Sequence, residues 1–429
     1  MKKKNGFTLV ELLAVIVILA IILVIAVPKI TDTIKNSKIA SFESSAKTIA
    51  AQAEKKKMEN EILEDTGSIN CSDVVKLNDT DYGNCSITFD GNTAKVSLVG
   101  SGKFEGLQII NGTKESATAI SSDIVFINKI ATEYIIELYN DEEKRTANGL
   151  EKDTTSDANI RYAGANPNNY VEFNGEAWRI IGVFGSNLKL VRDDILTEYS
   201  FDNKTTAQGI DTNYGTNDWT KSYLREFLND YYYGGKTITC HSETSGSTAT
   251  NATITCPDIN KINDIAKSMI QNTTWTLGGT TYKTNNNPYE TYPVNELYQK
   301  ERETQVYSGH ATTSSDYIGL IYPSDYGYAS TDTSCRQNLR SGLSFVNNTY
   351  SGTPTCQNDN WLYKSGLKHW TISPNYDTDY GVFTLDNTGL LYTNIPLYRY
   401  SVRPSLYLKQ DVKVVGGTGT SSDPYTLKI

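Results

Sequence analysis

Histidine is scarce in this chain: three in 429 residues, at His241, His310 and His369. There is no HExxH, no Walker loop and no GxSxG, so the usual signatures of zinc proteases, P-loop nucleotide hydrolases and serine hydrolases are missing. Basic charge is also in deficit. Forty Lys and Arg against 49 Asp and Glu give a formal net charge of −9. That balance lacks the positive footprint of a general nucleic-acid binder. No cysteines fall in the CxxC spacing that zinc sites favour. Long apolar runs are missing too, apart from one at the amino terminus.

That run, "NGFTLVELLAVIVILAIILVIAV" from Asn5 to Val27, contains a single charged residue, Glu11. Lys2, Lys3 and Lys4 precede it and set the cytoplasmic end by the positive-inside rule. Phe7 to Val27 is 21 residues, about 30 Å as a helix and long enough to span a bilayer. A secretory signal peptide places its small-residue cleavage site after the apolar core. Here the small residue, Gly6, stands before it. The motif Gly6-Phe7-Thr8-Leu9-Val10-Glu11 closely resembles the cleavage and methylation signal of type IV prepilins and type II secretion pseudopilins. The resemblance implies that residues 1–6 are a leader. A membrane peptidase would cut after Gly6 and methylate the new amino terminus at Phe7. A lone carboxylate near the membrane interior costs about 2.5 to 3.5 kcal/mol and usually marks function. In this family Glu11 would pair with the amino terminus of a neighbouring subunit and set the register of assembly.

Pro28 ends the uninterrupted run and is expected to kink the helix, since it removes a backbone donor. Beyond it, Ile30, Ile34, Phe42, Ala46, Ile49 and Ala53 recur at close to helical spacing, with lysines on the other faces. This reads as an assembly helix over residues 7–64, one stripe packed on a small sheet. Residues 65–120 supply that sheet. Ser86 to Gly100 alternates on both sides of Asp90-Gly91-Asn92, a hairpin signal, and Phe104 to Gly112 reads as a third strand. Residues 121–159 read as a helix capped by Ser122, then a polar linker.

From residue 160 the texture is one of short strands and turns. Tyr170 to Asp194 breaks at Asn174-Gly175 and again at Gly185-Ser186-Asn187. Asp218 to Tyr233 reads as a short amphipathic helix with Trp219, Tyr223, Leu224 and Phe227 inward, and Asp258 to Asn272 as another. Over the last 70 or so residues, Trp361-Leu362, Gly381, Gly389 and Val402-Arg403-Pro404 loosely resemble C-type-lectin-like and sulfatase-modifying-factor-like surface modules. The expected fold class is therefore α+β. A long N-terminal pilin helix packs on a small antiparallel sheet, followed by a large lectin-like head of short strands over residues 160–429.

Six cysteines form three sequence-local couples, Cys71/Cys85, Cys240/Cys256 and Cys335/Cys356. Fifteen pairings are formally possible, and local pairing is the simplest. Disulfides would point to an oxidising, extracytoplasmic site. "TITC" occurs twice, at Thr237–Cys240 and Thr253–Cys256. One copy beside His241 resembles a sortase-type nucleophile strand. Two copies around a polar loop read better as a hairpin closed by a disulfide, since Thr-Ile alternation is ordinary strand chemistry. Asn375, Asp377 and Asp379 alternate in a tight loop and form a candidate calcium site. Trp361, Trp370 and Arg403 are candidate ligand-binding residues. Buried packing, or a buried ion pair for Arg403, is the structural alternative.

The expected function is that of a minor or tip pilin-like subunit, of a type IV filament or of a secretion or competence pseudopilus. A head of about 270 residues is too large to repeat along a thin, densely packed filament, and adhesion is its expected task rather than catalysis. Expected partners are other pilin subunits, the prepilin peptidase, the membrane, and a glycan or other surface ligand; no nucleic acid is expected. The chain would sit in the cell membrane before assembly and on the cell surface afterwards. The rival is an anchored extracellular enzyme acting on cell-wall or glycan material. Mass spectrometry of protein from its native host should find a mature chain beginning at methylated Phe7. A retained Met1 in the exported protein would exclude the pilin reading.

Overall fold

Of the stripe read from the sequence, Phe42, Ala46, Ile49 and Ala53 are fully buried on α1 (Leu9–Ile62), with Ala50 beside them, while the side chains of Ile30 and Ile34 lie outside the described residues. The structure is a computed structural model. It describes the backbone from Leu9 onward except residues 64–66, 77–79, 122–128, 205–213, 245–250, 282–291, 340–343, 347–348 and 352–354. Side chains are described from Asn36, outside those stretches and residues 121, 344–346 and 349–351. The chain divides into two compact units, residues 1–128 and 129–429.

In the first unit α1 packs on an antiparallel meander of four strands. These are β1 (Tyr82–Asp90), β2 (Thr93–Gly100), β3 (Leu107–Gly112) and β4 (Ile120–Ser121), with a short α2 (Cys71–Val74) before them. The expected hairpin is present, with Asp90 opposite Thr93. Gly91 takes φ +58° at the first central position, where a side chain would be strained. Ala94, Val96 and Leu98 alternate inward from β2 onto the helix. Phe104 reaches the same core from a 3-10 turn that precedes β3, and its ring lies 5.2 Å from Phe42 and 5.1 Å from Tyr82. Two helix carboxylates hold the sheet ends. Glu54 accepts from the Ala94 backbone N–H at 3.2 Å and from Lys114 at 2.7 Å, and Glu43 accepts from Ala119 N–H at 2.9 Å.

The second unit begins with β5 (Lys129–Ile130), α3 (Ala131–Asn140), α4 (Glu142–Asn148) and β6 (Leu150–Lys152). Next come β7 (Ile160–Tyr162), β8 (Tyr170–Phe173), β9 (Glu176–Phe184), β10 (Asn187–Arg192), β11 (Thr197–Ser200) and α5 (Tyr223–Glu226). The middle holds β12 (Cys240–His241), β13 (Thr253–Ile254), α6 (Asp264–Met269), β14 (Thr273–Thr276), α7 (Val294–Arg302) and β15 (Thr313–Asp316). Then follow α8 (Pro323–Ala329), α9 (Thr333–Gln337), β16 (Ser344–Val346), β17 (Thr349–Ser351) and β18 (His369–Pro374). The chain closes with β19 (Val382–Leu385), β20 (Leu391–Asn394), β21 (Arg399–Val402), β22 (Ser405–Tyr407), β23 (Lys413–Gly416) and β24 (Tyr425–Lys428).

The main sheet runs β22-β10-β9-β8-β24-β23-β5, with β7 also on β9 and β6 on β7; a second sheet runs β11-β21-β18-β19-β20. The fold is α+β. The Asn174-Gly175 turn is as the sequence implies, with φ of +60° and +71° at its two central residues. That is the hairpin geometry for which Asn-Gly is selected. The helix expected from Asp218 is broken into a 3-10 turn (Trp219–Lys221), α5 and a π-helical turn (Phe227–Tyr233). Trp219, Leu224 and Phe227 are buried, but Tyr223 lies half-exposed and stacks on His241 with ring centroids 4.0 Å apart.

The boundary at residue 160 needs correction. The helix read from Ser122 starts at Ala131, while 122–128 lie outside the described residues. The polar stretch read as a linker is part of the second unit. Asp141 caps α4 through Lys144 N–H at 3.1 Å, Gly149 ends it at φ +69°, and β6 pairs with β7. The reason is chemical: most of its polar side chains are exposed, but Asp153, Thr155 and Asn159 are buried and paired in the interior. The Asp153 side chain is fully buried, accepting from Arg161 at 2.7 Å and from both Thr155 and Asn159. Asp153→Ala should therefore destabilise the second unit by about 3 to 5 kcal/mol, because a buried Arg161 loses a counter-charge. Thermal unfolding measures this; a neutral substitution would restore the linker reading.

Candidate functional site

The processing residues Gly6 and Phe7 lie outside the described residues. Glu11 and Pro28 lie on α1, a single helix through Pro28, and their side chains are likewise outside the description. Among the described residues no helix is long and apolar enough to cross a membrane; the run Phe7–Val27 falls outside the described side chains.

All three cysteine couples are disulfides. Their Cα separations are 6.1 Å for Cys71–Cys85, 5.2 Å for Cys240–Cys256 and 4.7 Å for Cys335–Cys356. The two TITC segments meet as a hairpin, β12 against β13, with Cys240 opposite Ile254. Cys240 has no thiol to ionise, so the nucleophile reading of Cys240 beside His241 falls.

The candidate ligand-binding residues are interior. Trp361 is 4% exposed and donates its Nε1–H to Tyr162 O at 2.8 Å. Trp370 is 1% exposed and donates to Tyr199 O at 2.8 Å, its ring packed between Phe201 and Tyr400. Arg403 is also buried, and burial pushes its guanidinium down to about 10. It donates to the carbonyls of Arg192 at 3.1 Å and Leu362 at 2.9 Å, so it is neither a ligand arm nor an ion-pair partner but a backbone tie. His369 is buried with both ring nitrogens lacking hydrogen bonds, and burial holds it well below the usual imidazole range. It is neutral and unsuited to act as a base. Trp361, Trp370 and Arg403 were read from residue type, and type alone does not say which side chains turn inward.

The loop of Asn375, Asp377 and Asp379 does not fit calcium. Its inward carbonyls, from Asn375, Thr378 and Gly381, converge on Asn217 Nδ2 at 2.9, 2.8 and 2.9 Å. An amide nitrogen already stands where a cation would need those oxygens. Asn375 Oδ1 accepts from Asp377 N–H at 3.2 Å, and the Asp377 side chain is exposed. Only Thr378 Oγ1 and Asp379 Oδ2 are buried without a donor in this loop, far short of the six to eight oxygens calcium takes. Among the described residues no group of three or more His, Cys, Asp and Glu could hold a metal ion.

Sequence reasoning missed a buried charge network. Asp325 on α8 accepts from Arg161 Nη1 of β7 at 3.0 Å and from Lys189 Nζ of β10 at 2.5 Å. Burial raises the Asp325 carboxyl, but Lys189 and Arg161 outweigh it and hold it below the usual range. Burial pushes Lys189 down to about 8. The sequence does carry a signal for Lys189: it interrupts the apolar "NLKLV" where a buried strand admits no free charge. At the end of α7, Glu301 accepts from Ser324 N–H at 2.8 Å and from Arg302 at 3.1 Å. Burial nonetheless pushes its carboxyl up to about 7, with Asp325 adding to the rise against Arg302 and Ser324.

Glu301 therefore makes stability fall with rising pH. Below its unfolded value near 4.5 the acid is neutral in both states. Between there and about 7 the folded chain holds a proton that the unfolded chain has released, and stability is lost progressively as pH rises through that window. Glu301→Gln removes this dependence. Relative to wild type, the variant should gain about 2 to 3 kcal/mol between pH 5 and pH 8, read from denaturant midpoints. A difference that stays flat over that range would mean that Glu301 ionises normally.

A family pattern described as the prokaryotic N-terminal methylation motif matches residues 1–27. No curated protein and no solved structure matches the chain. The matched segment contains Gly6, Phe7 and Glu11, and the helix that continues from it packs on a small antiparallel sheet. The chain thus carries, at its amino terminus, the signal of a type IV pilin-like or pseudopilin-like subunit.

Proposed function

We propose that this chain is a minor or tip subunit of a type IV filament or of a secretion or competence pseudopilus, with residues 129–429 as an extracellular adhesive head. The observation that carries the reading is one of architecture. A methylation motif and a helix-on-sheet unit are followed by a second compact unit more than twice as long. Dense helical packing of a filament leaves little room for such a unit at every position, which favours low copy number or a terminal place. The three disulfides suit a segment exported to an oxidising compartment. On this reading the precursor sits in the membrane, is trimmed by the prepilin peptidase, and joins other pilin subunits through α1. The head is the lectin-like module suggested by the C-terminal segments, and its ligand is a glycan or another surface group.

Glu11→Ala removes an insertion cost and should leave membrane insertion intact. It should nonetheless reduce incorporation into filaments, through loss of the pair with a neighbour's amino terminus. Incorporation equal to wild type at equal expression would exclude the pairing. Deleting residues 129–429 should preserve filaments while abolishing attachment to target cells. Immunogold labelling along the whole filament length would exclude a minor or tip position.

A further inference from the structure

A cavity of about 490 Å³ opens in the second unit between the β9–β10 turn, β14, the end of α7 and the loop at Asp157–Asn159. Its volume is within the usual range for small-molecule pockets, about 300 to 1,000 Å³. Its wall mixes aromatic rings with hydrogen-bonding groups. Phe184, Tyr298, Tyr322 and Tyr407 supply the rings, and Thr274, Asn159 and Arg302 are among the polar groups.

The charge is balanced. Arg302 is the one cation of the wall and Asp157 the one carboxylate. Lys189 lies within 4.4 Å of the Tyr322 ring centroid but is matched by Asp325, and Arg302 itself is met by Glu301. Nothing here offers the unpaired positive charge that a phosphate or sulfate needs, nor an anionic box for a cation.

Several polar atoms at this cavity remain open. Arg302 lies flat on Tyr298, its guanidinium carbon 3.3 Å from the ring centroid, and gives only Nη1 to protein acceptors, Tyr298 O and Glu301. The Tyr298 hydroxyl is used, donating to Asp157 at 2.6 Å and accepting from Asn159 Nδ2 at 3.0 Å. Among the described residues, Arg302 Nε and Nη2, Asn159 Oδ1, the Tyr407 hydroxyl and the Thr274 hydroxyl have no protein partner. A planar fork of donors, an amide oxygen and two hydroxyls beside aromatic rings match a ring that carries adjacent hydroxyls on its rim and C–H groups on its face.

From this constellation we infer that the cavity binds an uncharged sugar ring, a neutral hexose or N-acetylhexosamine at the end of a surface glycan. Arg302 and Asn159 take neighbouring hydroxyls, the Tyr407 hydroxyl takes a third, and an aromatic ring covers the sugar face. The inference deepens the adhesive reading above and depends on it only for the purpose of binding.

The test uses the full chain in a zwitterionic detergent without sugar headgroups. Saturation-transfer NMR and calorimetry are run with glucose, galactose, mannose and N-acetylglucosamine, and with glucuronic acid as the charged comparison. At least one neutral sugar should bind saturably, and glucuronic acid about tenfold more weakly or not at all. Tyr407→Phe should weaken binding about fivefold through one lost hydrogen bond. Thr274→Trp, at an exposed position on the cavity wall, should abolish binding by filling the space, with the unfolding midpoint unchanged in each variant. If Thr274→Trp fails to fold, Tyr407→Phe decides. The inference is overturned if no neutral sugar binds, if glucuronic acid binds more tightly, or if Tyr407→Phe binds as wild type. Cell attachment is scored in parallel. Attachment that persists in Tyr407→Phe while sugar binding drops refutes the adhesive role of this cavity. Attachment without any sugar binding refutes the cavity and leaves the adhesive head standing.

Discussion

Burying Asp325 between Lys189 and Arg161 is the constraint on which the second unit depends. Each ion leaves water at a cost of several kcal/mol, and only close pairing offsets that cost. All three side chains have essentially no exposure, so none can relax outward to recover hydration. The pairs join residues 164 and 136 positions apart, tying β7, β10 and α8 to one another. Asp153 extends the network from the other side of Arg161, while Phe184 and Tyr328 pack their rings against the same guanidinium at 4.6 and 4.8 Å. Loss of Asp325 would leave Lys189 without its partner, and loss of Asp153 would leave Arg161 with one counter-charge in place of two. A network so specific favours one arrangement of the strands over its neighbours in register, a role polar cores are known to fill.

The first unit uses different physics. Its core is a single apolar stripe of α1 against the alternating face of β2, and its polar ties lie at the sheet ends, where Glu54 and Glu43 accept backbone N–H groups that the ladder leaves over. Lys114 holds the Glu54 carboxyl below its ordinary range by hydrogen bonding, so this tie persists at neutral pH and weakens on acidification through its titration. The helix is thus held to its sheet by one apolar stripe and two carboxylate clamps.

Aromatic residues are plentiful, with 29 tyrosines, yet few of the large ones are available for recognition. Trp178, Trp219, Trp275, Trp370, Tyr326 and Tyr328 are all nearly fully buried. Short strands and frequent turns leave a core that must be filled by large side chains rather than by long aliphatic layers. The tyrosine hydroxyls inside are mostly anchored, as Tyr326 is to Cys356 O at 2.7 Å. Among the described residues, the cavity beside Arg302 is a place where rings and open polar atoms coincide.

The amino-terminal reading was legible because it rests on local rules. Gly6 before an apolar run, a lone Glu11 and helical spacing from Phe42 to Ala53 need no distant partner to be interpreted. The Asn174-Gly175 and Asp90-Gly91-Asn92 turns were equally legible, since backbone sign at a turn is set by the residues in it. Cysteine pairing followed from proximity along the chain. What lay beyond reach was decided by contacts far apart in sequence. Residues 141–159 look like a linker because they are polar; they are ordered because Glu151 meets Arg336, Thr154 meets Tyr328 and Asn159 meets Tyr298. Trp361, Trp370 and Arg403 look like binding residues, but the tertiary fold places them inside. Asp377 and Asp379 look like calcium ligands, until Asn217, more than 150 positions earlier, fills their loop. Local sequence determines conformation and periodicity; the partner that neutralises, covers or displaces a side chain is chosen only when the chain closes on itself.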